Sequence, residues 1–496
     1  MQAGDTLFTM QRLGLARRAR PLLRAIDWQW QAGQHWAVLG PNGAGKSTLG
    51  AVLAGEERHF SGQLSRGPAL AADGVAYVCF ERARRLVERD RKLDCAEFES
   101  AAFDPGTRVR DLLPAHAVER EDVIDLLGLA PILDRGLRFV STGEMRRTLL
   151  ASAILQRPAL MILDSPLDGL DRRIRSQLRR VLDTLIAASR ATLVLCRDPD
   201  DVPRACSHVM LLGDGRCLLK GQRETVLASD ACRQLTAPPA IALGAPPEPP
   251  STLPAGNAPG IELRGVSVTY GSHCVFRDVD WVLGRDRHCL ISGPNGCGKS
   301  TLLDLLTGDN HKAYGQHVAL FGRLRGSGES VWDIKALFGR VDARMQFAFP
   351  AGSSVLQVVC SGFFDSLGLY ERPGDRRVAA ARAWLDSLGL GDRAGDDFHA
   401  LSFGLQRLVL LARAMVKNPA FLLLDEATLS LDRAHRRLMI EAIDHVVDAG
   451  GSQLLFVSHS PDDLPRCINQ SLTFTPHPAG STVAVVDAPP AAQSSA

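Results

Sequence analysis

The chain has little excess charge of either sign. It carries 57 Lys and Arg against 55 Asp and Glu, for a formal net charge of +2. That is too small a basic excess to mark a dedicated nucleic-acid binder. The runs ERARRLVERDRK (81–92) and DRRIRSQLRR (171–180) mix signs or fall at the spacing of solvated helix faces, so there is no strong sign of nucleic-acid binding. No C-x-x-C occurs among the 11 cysteines, which argues against zinc ribbons, thioredoxin-like sites and a disulfide framework and suits a reducing cytoplasm. Cys79, Cys196 and Cys289 lie in apolar runs and read as small core residues. No window approaches 18 consecutive apolar residues, and the first 20 residues lack the apolar stretch of a signal peptide. The expectation is a cytoplasmic protein without direct membrane insertion, peripheral at the inner membrane only through a partner.

What the chain does have is a repeat. At 496 residues it is long enough for two or more cores. GPNGAGKST (40–48) returns as GPNGCGKST (293–301), and AIDWQWQAGQHWAVLG upstream of the first matches DVDWVLGRDRHCLISG upstream of the second without a gap. The halves are expected at 1–235 and 260–475. Residues 236–259, with eight prolines, read as an extended, semi-rigid linker with a reach of about 70 Å at roughly 3 Å per residue. The tail 476–496 is rich in Pro, Ala and Ser and is expected to be disordered. Within each half, apolar strands alternate with helices, which predicts an α/β fold with a parallel sheet covered on both faces.

G-x-x-x-x-G-K-[ST] between a strand and a helix is a P-loop. Its glycines let backbone N–H groups turn inward around phosphate, the lysine reaches the terminal phosphates, and the serine hydroxyl ligates Mg²⁺. The candidate ATP-binding residues are therefore Gly40, Pro41, Asn42, Gly43, Ala44, Gly45, Lys46, Ser47 and Thr48 in the first half. In the second they are Gly293, Pro294, Asn295, Gly296, Cys297, Gly298, Lys299, Ser300 and Thr301. About 120 residues after each loop an apolar strand ends in aspartate, LMILD at Asp164 and FLLLD at Asp425. A carboxylate there can hold Mg²⁺ through water, so the candidate metal residues are Ser47, Asp164, Ser300 and Asp425. Glu426, next to Asp425, is placed to orient or deprotonate an attacking water, a role that contributes about 10²–10⁴-fold. Its counterpart in the first half is Ser165.

These motifs make each half resemble the nucleotide-binding domain of an ATP-binding cassette (ABC) ATPase. The family's LSGGQ signature is matched by VSTGE (140–144) and LSFGL (401–405), about 20 residues before the strand-end aspartates. The family's D-loop is matched by Leu170–Asp171 and Leu431–Asp432. The resemblance implies two tandem ABC-type P-loop NTPase domains, each a RecA-like parallel-sheet core with a helical subdomain. It further implies an intramolecular domain–domain sandwich, each ATP lying between one half's P-loop and the other's signature. Ser141, Gly143, Ser402 and Gly404 would then meet the γ-phosphate from a helix N-terminus. It also implies that Tyr270 stacks on adenine and that His459 is the switch histidine. By this reading the catalytic residues are Glu426, His459 and Lys299, with ATP and Mg²⁺ as cofactors.

The two sites score differently. The second is complete. The first has Ser165 for the acid, Arg197 where His459 stands and Arg17 where Tyr270 stands, so the expectation is hydrolysis mainly at the second P-loop and ATP retention at the first. The family also places a glutamine after a strand between P-loop and signature. The first half contains none between Gln63 and Gln156, leaving Glu81 as a substitute, and the second offers Gln346 about three residues late.

LFGRLRGSGESVWDIKALFGRV and SGFFDSLGLYERP resemble the molybdate-transport-associated tandem ATPase family, also described as photorepair proteins. That resemblance implies the energising subunit of a molybdate-type import system with an integral membrane permease as partner. The alternative is a soluble ABC ATPase with a regulatory, repair-associated or translation-associated partner. Ribosome-binding ABC proteins have a long, helical, charged linker where this chain has a short proline-rich one, and excision-repair members carry zinc modules that these cysteines do not supply.

Overall fold

The computed structural model describes residues 5–17, 20–68, 70, 74–79, 106–114, 121–140, 142–167, 172–237, 241–247, 254, 256–271, 273–294, 296–342, 345–429, 431–458 and 464–487. The chain divides into two compact units, Met1–Ala237 and Pro238–Ala496.

In the first unit, β1 (Thr6–Arg17) and β2 (Arg20–Gln31) form a hairpin that β4 (Ser61–Arg66) extends. Behind it lies a six-stranded sheet in the order β5-β6-β7-β3-β8-β9. Its strands are β3 (His35–Leu39), β5 (Val75–Val78), β6 (Leu160–Asp164), β7 (Thr192–Cys196), β8 (His208–Gly213) and β9 (Arg216–Gln222). The first five in the order are parallel, and β9 returns antiparallel. The second unit repeats this plan. A sheet β11-β10-β13-β14 is built from β10 (Ile261–Tyr270), β11 (His273–Leu283), β13 (His317–Leu320) and β14 (Arg323–Leu324). The six-stranded sheet runs β15-β16-β17-β12-β18-β19, from β12 (Cys289–Ser292), β15 (Phe338–Asp342), β16 (Phe421–Asp425), β17 (Gln453–Val457), β18 (Gln470–Thr475) and β19 (Thr482–Val486). β19 lies inside the tail 476–496 and pairs antiparallel with β18, so this part of the tail is an ordered strand and not disordered as its composition suggested, because its β-branched TVAVV run fits a sheet edge. The identical strand order bears out the expected α/β fold with parallel-sheet cores.

The parallel strands read as unbroken apolar runs because both sheet faces are covered. β7 is buried at every position, and β6 and β16 at every position before the aspartate. One face packs on the antiparallel sheet and the P-loop helix. The other carries the helices Thr142–Leu155 and Arg172–Ala188, or Phe403–Met415 and Arg433–Asp448. Cys196 and Cys289 are buried as expected, while Cys79 is half-buried.

One part of the proline-rich stretch departs from a bare spacer. Ile241 and Leu243 pack on the second unit's core. The Gly244 N–H donates to Ser387 O at 2.8 Å, and its carbonyl lies 2.7 Å from His445 Nε2. Two apolar side chains and a paired backbone suffice to dock a segment that its prolines keep extended.

Candidate active site

The P-loops follow β3 and β12, the fourth strand of each parallel sheet, where neighbouring strands lead off to both sides. This is where open α/β sheets hold ligands. Gly43 and Gly45 have φ of 82° and 97°, and Gly296 and Gly298 have 80° and 106°. A Cβ on Gly45 would stand 2.5 Å from Leu22 O, and one on Gly298 2.8 Å from Val275 Cγ1. Only glycine satisfies both the left-handed backbone and the close approach. The helices Lys46–Ala54 and Lys299–Thr307 start directly after, with Ser47 and Ser300 exposed on their first turns. Lys46 and Lys299 are buried and fold back on their own loops. Lys46 Nζ donates to the carbonyls of Gly40 (2.6 Å) and Pro41 (2.8 Å), and Lys299 Nζ to those of Gly293 (2.8 Å) and Pro294 (2.7 Å). Burial lowers the Lys299 pKa, against the pull of Cys297, Glu426 and Asp425. Asn295 lies outside the described residues.

The ends of β6 and β16 share a backbone turn and differ in side chain. Ser165 and Glu426 both take a left-handed conformation, φ 49° and 52°, rare for residues other than glycine. Each donates its N–H to the neighbouring strand, Ser165 to Leu195 O at 3.0 Å and Glu426 to Val457 O at 3.2 Å. The first unit therefore keeps the strained turn that aims an acid and puts a hydroxymethyl group on it. In parallel register Asp164 faces Leu195 and Asp425 faces Val457. Arg197 and His459 each follow two residues later, so they hold equivalent chain positions, although His459 is not among the described residues.

The surroundings of the two aspartates also differ. The Asp425 carboxyl is pushed up to about 6 by burial and by the carboxylates of Asp342 and Glu426. Asp342 pairs directly with Asp425 across the sheet. Asp164 instead accepts a hydrogen bond from the Tyr77 phenol at 3.1 Å and lies 3.4 Å from the Ser165 hydroxyl. Neither Asp342 nor Tyr77 stands out in the sequence. The signal that could find them is their place on the strand beside the aspartate strand.

At the hairpin ends Tyr270 pairs with His273 and Arg17 with Arg20, each as the last pair of its ladder. Tyr270 is 45% exposed, and its hydroxyl accepts from Asn310 Nδ2 at 2.8 Å. In the first unit Arg17 donates to Glu57 at 3.2 Å. Glu57 and Asn310 stand at the same interval, 253 residues, as Arg17 and Tyr270. An ion pair thus replaces the whole aromatic–amide pair.

Ser402 caps the helix Phe403–Met415, its hydroxyl accepting from Leu405 N–H at 3.4 Å. Behind it His435 Nε2 lies 3.4 Å from Ser402 Oγ, while His435 Nδ1 lies 2.8 Å from Asp432, the cap of the next helix. Gly404 is where the imidazole packs, for a Cβ there would meet His435 Cδ2 at 1.9 Å. In the first unit Gly143 is buried on the helix Thr142–Leu155, and Ser141, Leu170 and Asp171 lie outside the described residues. Arg146 and Arg407 are buried. Arg146 donates to Ser165 O (2.8 Å) and Arg407 to Asp342 O (3.0 Å). Burial lowers Arg407 to about 10. Gln346 is buried on the turn Met345–Phe347, its Oε1 without a hydrogen-bond donor among the described residues. Glu81 is not among them.

The ABC transporter family model matches this chain twice, over residues 23–168 and 276–429. The chain belongs to that family. It is a tandem ABC ATPase, an enzyme of the P-loop type. It is 36% identical over 455 residues to the ABC transporter ATP-binding protein ModF of Escherichia coli, covering 90% of this chain and 92% of that one. An uncharacterized ABC transporter ATP-binding protein of Schizosaccharomyces pombe is 24% identical over 470 residues, 91% and 94% of the two chains. Among solved structures, archaeal ribosome recycling factor aABCE1 in complex with stalk protein aP1 matches with a TM-score of 0.55 at 19% identity, over 96% of this chain and 89% of that one. That likeness concerns the fold. No helix among the described residues of this tandem ABC ATPase is long and apolar enough to cross a membrane.

Proposed function

We propose that the chain binds ATP at both P-loops, each nucleotide closed between one half's loop and the other half's signature, and hydrolyses ATP mainly at the second. The observation that carries this reading is the shared turn at Ser165 and Glu426. The φ angle and the N–H hydrogen bond match in both, so what differs at this turn is the chemistry of one side chain. A carboxylate can accept the proton of an attacking water. A serine without an activating base cannot at neutral pH. Mg²⁺ would neutralise the phosphate charge. Ser300, Asp425 and, less completely, Ser47 and Asp164 offer the hard oxygen donors it takes.

In the second site Lys299, released from its loop carbonyls, would meet the terminal phosphates, with His459 beside them and Tyr270 under the base. Ser402 and Gly404 would close on the first site, and Ser141 and Gly143 on the second. Glu426→Gln should cut steady-state ATPase by at least about 10²-fold, the low end for a lost general base. Ser165→Ala should change it less than about 3-fold. Comparable losses in both variants would refute the asymmetry.

As to what the cycle drives, the extent of the likeness to the Escherichia coli ABC transporter ATP-binding protein favours the energising subunit of an import system, molybdate-type by resemblance. The partner would be an integral membrane permease and the location the cytoplasmic side of the membrane. Affinity capture of the Glu426→Gln protein from native membranes with ATP should co-purify an integral membrane protein. Recovery of soluble partners alone would replace the import reading with a regulatory, repair-associated or translation-associated one.

A further inference from the structure

We propose that Tyr77 makes the first P-loop a site that holds a nucleoside triphosphate with little dependence on a divalent cation, whereas the second site requires the cation. The inference rests on the reading above that the first site retains ATP, and it concerns how that site does so. Tyr77 lies opposite Ile162 in β6, and Arg340 lies opposite Leu423 in β16. Both partners stand two residues before the strand-end aspartate, so Tyr77 and Arg340 occupy one position of the fold.

They do opposite things. The Tyr77 hydroxyl donates to Asp164 Oδ2 at 3.1 Å and lies 3.3 Å from the carbonyl of Ser47, the P-loop serine. Arg340 turns to the carboxylates of Asp304 and Asp309 at 3.4 Å and of Asp342 at 3.6 Å.

The tyrosine has been given room. Gly50 on the P-loop helix corresponds to the buried Leu303, at the common interval of 253 residues. Even a Cβ on Gly50 would stand 3.1 Å from Leu195 Cδ1 and 3.5 Å from Tyr77 Cε2. A leucine there would collide with the ring. Tyr77, Gly50 and Ser165 therefore form one set of substitutions, against Arg340, Leu303 and Glu426.

The electrostatic outcome follows. At the second site Asp425 has two more carboxylates beside it, Asp342 opposite it on the neighbouring strand and Glu426 next in the chain. At the first, Cys79 stands at the Asp342 position and Ser165 at the Glu426 position, so neither position adds a carboxylate, and Asp164 is offered two hydroxyls. Cation affinity of an oxygen site rises with the charge of its ligands. Neutral donors already occupying Asp164 lower what a cation gains there. Lys46 and the inward backbone amides remain to hold phosphate.

The test measures equilibrium binding of radiolabelled ATP to the full chain with Mg²⁺ and with EDTA. Lys299→Ala isolates the first site and Lys46→Ala the second. Removing Mg²⁺ should weaken the first site less than about 3-fold and the second at least about 30-fold. Tyr77→Phe, which keeps the ring, should raise the Mg²⁺ dependence of the first site by about tenfold, the equilibrium value of one hydrogen bond to a charged group. Equal Mg²⁺ dependence at the two sites, or no response to Tyr77→Phe, overturns the proposal while leaving asymmetric hydrolysis intact. A first site that binds no ATP under either condition overturns both. Undiminished turnover in Lys299→Ala overturns only the assignment of hydrolysis to the second site.

Discussion

Gly404→Ala tests the packing behind the second unit's signature. The added Cβ would stand 1.9 Å from His435 Cδ2, 2.3 Å from Cγ and 2.6 Å from Cβ. Rotating the ring removes the first two contacts but not the third, so the helices Phe403–Met415 and Arg433–Asp448 must shift apart. Overpacking of this kind costs about 1–3 kcal/mol. A displaced imidazole also leaves the buried Asp432 carboxylate short of one donor, for about 1–3 kcal/mol more. Alanine returns up to about 1 kcal/mol in helix propensity. The expected net loss is about 1–5 kcal/mol, or roughly 2–20 °C in melting temperature for a unit of this size. Scanning calorimetry of the second unit's transition measures it. The relieving background is His435→Gly, since alanine would keep the Cβ at 2.6 Å. In that background the loss from Gly404→Ala should shrink by at least about 1 kcal/mol, as expected for residues in contact. A Gly404→Ala protein that melts within about 1 °C of wild type, or one whose loss is the same with and without His435, would refute the reasoning.

Two further outcomes can be checked. Tyr270→Ala should weaken ATP binding at the second site by about 5–100-fold, the loss of one base–aromatic stack, and Arg17→Ala should leave the first site within about 2-fold, as befits a surface ion pair; equilibrium binding to the single-site variants distinguishes them. His288 is partly buried and its Nδ1 accepts from Leu454 N–H at 3.0 Å, so burial depresses its pKa below the ordinary 6.5. The unfolded chain then takes the proton first, and the stability His288 contributes is full above about pH 6.5 and lost as pH falls. His288→Asn, which can keep the acceptor, should flatten the decline of the second unit's melting temperature between about pH 7 and 5.5; an unchanged slope would show that His288 does not contribute.

The sequence alone determined the repeat, the P-loops, the strand-end aspartates and the family. Each is a local pattern: glycines at fixed spacing force a phosphate-shaped backbone, and apolar runs without alternation imply strands buried on both faces. The exchange of Glu426 for Ser165 could be read there too, because it sits inside such a pattern. Only the tertiary structure decided that the two residues share one strained turn, that Tyr77 reaches Asp164 across 87 positions, and that His435 backs Ser402 across 33. It also decided that Arg17 with Glu57 stands in for Tyr270 with Asn310. The docking of Ile241 and Leu243 belongs here as well. A proline-rich segment advertises extension, and two apolar side chains are too few to announce a contact. The physical reason is common to all of them. A local motif fixes what a backbone segment can bind, but which remote side chain meets it depends on strand register and helix packing, and these are set by the folded sheet as a whole.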